Sequence, residues 1–153
     1  MGKEIPLHYA LKNKLPIGII GLLIEKGSDI NSKIDGEEIP LHYALKNKLS
    51  KGIIKLLIEK GSDIYSKIDG EEIPFHYALK NKLSKEIIES LIEKGSDLNS
   101  KIDGEEPPLH YALKNNLSMG VIELLISKGI DINSKNNQNE LPLHIALKNK
   151  FIK

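Results

Sequence analysis

Glu38-Ile39-Pro40-Leu41-His42-Tyr43-Ala44-Leu45-Lys46-Asn47 is the stretch from which the fold is read. With small edits it occurs five times. Its proline falls at Pro6, Pro40, Pro74, Pro108 and Pro142, an unbroken step of 34 residues. Its histidine keeps that step at His8, His42, His76, His110 and His144, and the chain has no others. A fixed period in this range marks a stacked repeat array, in which each unit buries its apolar side only behind the next copy.

Residues 35–68 show one repeat in full. Asp35-Gly36 is a turn signal. Pro40 suits the first helical position, where a missing N–H costs nothing. Leu41, Ala44 and Leu45 then share one face, and Glu37 and Glu38 sit where the helix dipole favours negative charge. The pattern predicts an inner helix over about 40–48. Ser50 is an N-cap for a second, outer helix. Ile53, Ile54, Leu57 and Ile58 form its apolar stripe, with Lys51, Lys55, Glu59 and Lys60 facing water. Gly61 ends it in a left-handed conformation, and Ser62-Asp63-Ile64 leads on, extended. Helices this short do not stand alone in water. The recurrent alanine (Ala10, Ala44, Ala78, Ala112, Ala146) lets neighbouring inner helices approach closely.

Composition excludes several function classes. Charged residues are 28% and hydrophobic residues 40% of the 153, as in a soluble folded protein. A net charge of +1 gives no basic field for nucleic acid or anionic lipid. Without cysteine there is neither a disulfide nor a thiolate metal site. The N-terminal residues carry no signal-peptide pattern, Pro6 stands where a myristoylation signal wants Ser or Thr, and no apolar run is long enough to span a membrane. A cytoplasmic location is the expectation. All 22 basic residues are lysine, so arginine's bidentate fork is absent from any binding surface.

These residues resemble the ankyrin repeat. The family's opening threonine-proline-leucine-histidine run reads here Ile39-Pro40-Leu41-His42. Ala44-Leu45, Leu56-Leu57 and Gly61-Ser62-Asp63-Ile64 follow in the family's order. Asn31 keeps the motif's terminal asparagine in the first repeat, whereas Tyr65 stands there in the second. Five copies in phase make the resemblance specific, and it covers nearly the whole chain. It implies an all-α helix-turn-helix solenoid of four full repeats (about 4–34, 35–68, 69–102 and 103–136) and a final half repeat (137–153), together a single array. Three departures stand out. Ile5, Ile39, Ile73, Pro107 and Leu141 replace the family's threonine, losing a hydroxyl cap worth about 1 kcal/mol per helix. Packing of Ile34 against Ile39 across the turn is expected to offset part of that loss. The period is one residue longer than the family's, with the extra residue near Lys48-Leu49. The Asp-Gly turn is shifted by one position.

The resemblance also implies that a partner protein binds on a concave face lined by the inner helices and turn tips. Mapped by motif, the face comprises Tyr43, Lys46 and Asn47. Its equivalents are Tyr9, Lys12 and Asn13; Tyr77, Lys80 and Asn81; Tyr111, Lys114 and Asn115; and Ile145, Lys148 and Asn149. Positions i, i+3 and i+4 share a helical face, and tyrosine is a good interface anchor. The alternative is that the tyrosines only pack on the neighbouring helix. Turn-tip residues Asp35, Glu37, Glu38, Asp69, Glu71, Asp103 and Glu105 add an acidic stripe beside the lysine row, suited to a partner of alternating charge or to solvent alone.

Catalytic and metal chemistry find little support. Inner helices spaced about 8–10 Å apart cannot bring their histidines to one zinc ion, whose ligands lie about 3–4 Å from each other. Each histidine reads instead as bonding loop backbone. Glu37-Glu38 is repeated and exposed, which fits helix capping better than acid-base work. No nucleophile has a distinctive context and no glycine-rich phosphate loop occurs, so neither catalytic residues, metal nor cofactor are expected.

The repeats are not equal. Pro16 opens the first outer helix, which Gly18 and Gly21 weaken by roughly 1 kcal/mol each. The second and third repeats differ only at Leu41/Phe75, Gly52/Glu86, Lys55/Glu89, Leu56/Ser90, Ile64/Leu98 and Tyr65/Asn99. Ser90 must lie near solvent or bond back to backbone. The fifth repeat stops at Phe151-Ile152-Lys153 with no outer helix. Terminal repeats of an array are normally polar outside, yet Ile19, Ile20 and Leu23 are as apolar as their internal counterparts. The chain is therefore expected to be part of a longer array or to have its ends covered, end-to-end self-association included. The leading reading is a protein-interaction module, the alternative a structural array with no dedicated partner.

Overall fold

A computed structural model describes residues 5–149. The first repeat's start near Glu4 and the closing Phe151-Ile152-Lys153 lie outside the described residues. Among those described are nine helices and no strand: α1 (Pro6–Lys12), α2 (Ile17–Glu25), α3 (Pro40–Lys46), α4 (Lys51–Glu59), α5 (Pro74–Lys80), α6 (Lys85–Glu93), α7 (Pro108–Lys114), α8 (Met119–Ser127) and α9 (Pro142–Lys148). The class is an all-α helical repeat solenoid, with short inner helices alternating with longer outer ones. The helices fall into two compact units, Met1–Pro74 and Phe75–Lys153.

Each inner helix opens on its proline. The residues before α1, α3, α7 and α9 (Ile5, Ile39, Pro107 and Leu141) make no side-chain cap bond, as expected of a motif without threonine. In α9 the histidine does part of that work, because Leu141 N–H donates to His144 Nδ1 at 3.0 Å. Pro107 has no N–H to offer, and the Nδ1 of buried His110 is left without a partner. The inner helices end two residues sooner than the pattern suggests, at Lys46 rather than residue 48, because the backbone turns left-handed at Lys14, Lys48, Lys82 and Asn116 (φ 51°, 52°, 51° and 54°). That turn falls at Lys48-Leu49, where the longer period is expected to add its residue. It lets Leu49 N–H reach Ala44 O at 3.0 Å, satisfying a carbonyl at the helix end.

The outer helices follow their caps. Ser50, Ser84 and Ser118 accept from the N–H groups of Ile53, Ile87 and Val121 at 3.3, 3.4 and 3.3 Å. At the far end Gly61 takes φ +113° and Ser62 N–H closes onto Leu57 O at 3.0 Å. Asp35 and Gly36 both have positive φ (54° and 75°), the I′ pattern that matches strand twist. Ile34 N–H donates to Glu38 O at 2.7 Å across that turn, an isolated antiparallel bridge repeated at Ile68–Glu72 and Ile102–Glu106. Ile34 and Ile39 are both buried.

In the first unit α1 packs on α2 and α3, α3 on α4, and α2 on α4. Leu7, Leu11, Ile20, Leu41, Leu57 and Ile58 form its best-sealed interior. Asn31 fastens the first repeat to the second: its amide donates to Gly61 O at 3.3 Å and its Oδ1 accepts from Asp63 N–H at 2.8 Å. In the second unit α7 packs on α8 and α9, and α6 on α8, around Phe75, Leu79, Ile88, Leu91 and Leu125. Asn99 accepts there from Asp131 N–H at 3.0 Å, the same tie as that of Asn31. Ser90 is buried rather than near solvent. The hydroxyls of Ser62 and Ser96 are buried without a partner.

Candidate functional site

The candidate face is built from inner helices and hairpin tips. In the first unit Tyr9 on α1 is exposed, whereas Tyr43 on α3, which packs against α1, is half-buried. Part of the Tyr43 ring thus remains accessible. Asn13 and Asn47 follow the helix ends, and each donates its side-chain amide back to the carbonyl of Tyr9 or Tyr43 at 2.9 Å. They are C-terminal caps first.

Lysines and turn tips, read from the sequence as two parallel rows, pair with each other. Lys12 reaches Asp35 at 3.5 Å, and Lys46 lies 3.0 Å from Glu38 and 3.1 Å from Asp69. Hydrogen bonding to Glu38, and then to Asp69, raises the Lys46 pKa. Each contact runs from the last turn of an inner helix to the hairpin that follows or precedes it. Exposed pairs of this kind contribute little stability; they bring opposite charges together at the ends of the inner helices. Glu37 and Glu71 remain exposed.

The second unit repeats the arrangement with changes toward its end. Tyr77 and Tyr111 are half-buried. Asn81 and Asn115 make the same 2.9 Å capping bond. Lys80 meets Asp103 at 3.4 Å, while Lys114 turns to Glu106 at 3.9 Å. Glu105 is exposed. Lys148 pairs with Glu140 at 2.8 Å, and that bond, followed by one from Asn136, lowers the Glu140 pKa. Ile145, the counterpart of the tyrosines, is buried and presents no surface, so the mapped row does not extend through it. The Asn149 side-chain amide donates to Leu113 O at 3.0 Å, while its backbone N–H caps its own helix at Ile145 O.

The histidines fasten loops. His8 Nε2 lies 2.8 Å from Ser32 Oγ and 3.2 Å from its carbonyl; His76 repeats this with Ser100 at 2.9 and 3.1 Å. His42 lies 3.4 Å from Ser66 Oγ, and burial lowers its pKa. His110 Nε2 donates to Glu140 O at 2.8 Å. No group of three or more His, Asp or Glu side chains among the described residues is placed to hold a metal ion.

Sequence reasoning missed the ion-pair role of Glu106 and Glu140. The eight-residue spacing to Lys114 and Lys148, the same as from Glu38 to Lys46, was the available signal. It also missed an apolar groove of about 460 Å³ beside α8 and α9, lined by Met119, Ile122, Ile126, Ile132 and Leu143 among others. No helix among the described residues is long and apolar enough to cross a membrane.

The family model described as ankyrin repeats (3 copies) matches residues 2–68 and 75–153. No curated protein matches the chain.

Proposed function

The chain belongs to the ankyrin repeat family, whose members are in general protein-interaction modules and typically non-catalytic, and on that premise we propose that it binds a partner protein through the concave inner-helix face of each unit. The anchors are Tyr9 and Tyr43 in the first unit and Tyr77 and Tyr111 in the second. Lys12, Lys46, Lys80 and Lys114 flank them, with the tips Asp35, Glu37, Asp69, Glu71, Asp103 and Glu105 at the margin. Asn47, Asn81 and Asn115 shape the face, their amides engaged in capping. The observation that carries this reading is the tyrosine row itself: large amphipathic rings, partly accessible, at one step of the repeat. Because the neighbouring lysines are already paired with carboxylates, the partner need not be strongly charged. It offers apolar groups and hydrogen-bond acceptors to the phenols. The proposed setting is the cytoplasm.

A second reading, a structural array with no dedicated partner, draws on the near-identity of the second and third repeats and on the internal pairing of the charges. A pull-down from cell extract separates the two, comparing the wild type with a variant carrying Tyr43→Ala, Tyr77→Ala and Tyr111→Ala. Loss of a partner with helical circular dichroism unchanged supports the first reading. Equal recovery by both proteins supports the second.

A further inference from the structure

The lysine that closes an inner helix meets the tip of the hairpin that follows. In the first unit Lys12 reaches Asp35 at 3.5 Å and Lys46 reaches Asp69 at 3.1 Å. In the second unit Lys80 reaches Asp103 at 3.4 Å. These lysine side chains are 36%, 35% and 32% exposed. The same step along the sequence puts Asn137 where the next aspartate would stand, and Asn139 where Glu37, Glu71 and Glu105 stand. An amide carries no charge to hold an ammonium group. Lys114 instead turns back to Glu106 at 3.9 Å, with its side chain 62% exposed. Glu140, the acid left in that hairpin, is engaged elsewhere: its Oε2 pairs with Lys148 at 2.8 Å and its Oε1 accepts from the Asn136 amide at 3.1 Å. The hairpin itself is kept, closed by Asn136 N–H onto Glu140 O at 3.0 Å. What has gone from this tip is charge, not structure.

We infer, on the reading that the tyrosine face receives a partner protein, that the partner sets an aspartate or glutamate side chain against Lys114, in the seat that a hairpin aspartate fills in the repeats before it. Those repeats state the chemistry of the occupant: a carboxylate 3.1 to 3.5 Å from the lysine. A carboxylate suits the seat better than a phosphate, because one ammonium group offers a single charge and the chain has no arginine fork. The uncharged tip at Asn137-Gln138-Asn139 also spares an incoming acid the repulsion that Asp103 and Glu105 would exert. Tyr111 is half-buried one turn before Lys114 on the same side of α7. The acid therefore lands beside a group that packs on a phenol ring. At Lys12, Lys46 and Lys80 the place is already taken by the chain's own aspartates, so this one charge sets the register in which the partner lies.

The probe is a phage-displayed library of random linear peptides, selected on the whole chain and counter-selected on Tyr111→Ala, so that the peptides kept are those that need the tyrosine face. They are expected to share an Asp or Glu at a fixed distance from an apolar or aromatic residue. A synthetic peptide of that kind should bind about fivefold more weakly to Lys114→Gln, the upper end for an exposed pair. Asn137→Asp should weaken it as well, by refilling the seat from within. Lys128→Gln, which changes the net charge equally at the end of α8, should leave the affinity unchanged. Lys114, Asn137 and Lys128 are all exposed, so helical circular dichroism stays constant. Replacing the peptide's acid by its amide should lose what Lys114→Gln loses, with no further loss when the two are combined. Tyr111-dependent peptides without an acidic preference, or an affinity indifferent to Lys114→Gln and Asn137→Asp, overturn the inference and leave the tyrosine face a binding surface. The absence of any Tyr111-dependent peptide overturns both. Tighter binding with phosphoserine in place of the acid overturns the inference too, by giving the seat to a phosphate.

Discussion

α3 and α9 differ at one residue in seven, Tyr43 against Ile145, yet they live in opposite environments. Leu41 and Leu45 are 0% and 2% exposed, whereas Leu143 and Leu147, the same residues in the same register, are 56% and 58% exposed. His42 is buried against its loop, while His144 is exposed and turned to its own helix start. Propensity and local pattern are equal in the two heptapeptides. Only the neighbour differs, so in this array burial is conferred from outside the helix.

The strongest way to break that comparison is to truncate both leucines. Leu41→Ala should cost about 2–5 kcal/mol, the usual range for emptying a sealed site, and Leu143→Ala less than about 0.5 kcal/mol. Chemical unfolding midpoints of the two variants check this. Equal losses would show that α9 is as sealed as α3.

Ile34→Asp should cost about 3 kcal/mol by burying a charge with no partner. Ile132→Asp, on the exposed rim beside α8, should be nearly neutral. An unchanged melting midpoint for Ile34→Asp would refute the packing of Ile34 and Ile39 across the turn.

A smaller effect of opposite sign is expected at Ser62. Its buried hydroxyl has no partner, so Ser62→Ala should stabilise by about 1 kcal/mol. Ser28, at the same place in the first repeat, is only half-buried, and Ser28→Ala should gain less.

The smallest effect is one of pH. Burial lowers the His42 pKa below that of the unfolded chain, so the unfolded state holds more protons between the two values. The neutral form's contribution is complete above the unfolded pKa and is lost as pH falls through that window. His42→Gln should flatten the slope of stability against pH there. A slope unchanged by the substitution would remove His42 from the account.

Much of this fold could be read from single residues. Pro40, Ser50 and Gly61 mark helix boundaries because each acts on its own backbone, and Asp35-Gly36 announces its turn for the same reason. The left-handed lysines could not be read, since nothing local to Lys48 asks for positive φ; the helix end asks for it, and glycine would serve as well. Asn47 is exposed, as its spacing on the tyrosine face implied. Its amide also bonds back to Tyr43 O, the carbonyl that its own backbone N–H already caps. The lysine row and acidic stripe were legible as residues but not as pairs, because Lys46 and Asp69 meet only once the hairpin folds back. The groove beside α8 escaped because Leu143 and Ile126 read like any other core positions in the repeat pattern, and their exposure is visible only in the fold.

The amides bound by Asn31 and Asn99 carry a consequence for dynamics. Asp63 N–H and Asp131 N–H lie outside the helices, where solvent deuterium normally enters at once, yet each is held by a side chain from the repeat before. Their exchange should wait until that repeat lifts away. Two aspartate amides, one in each compact unit, thus time how often a single joint of the array comes apart while its helices stay wound.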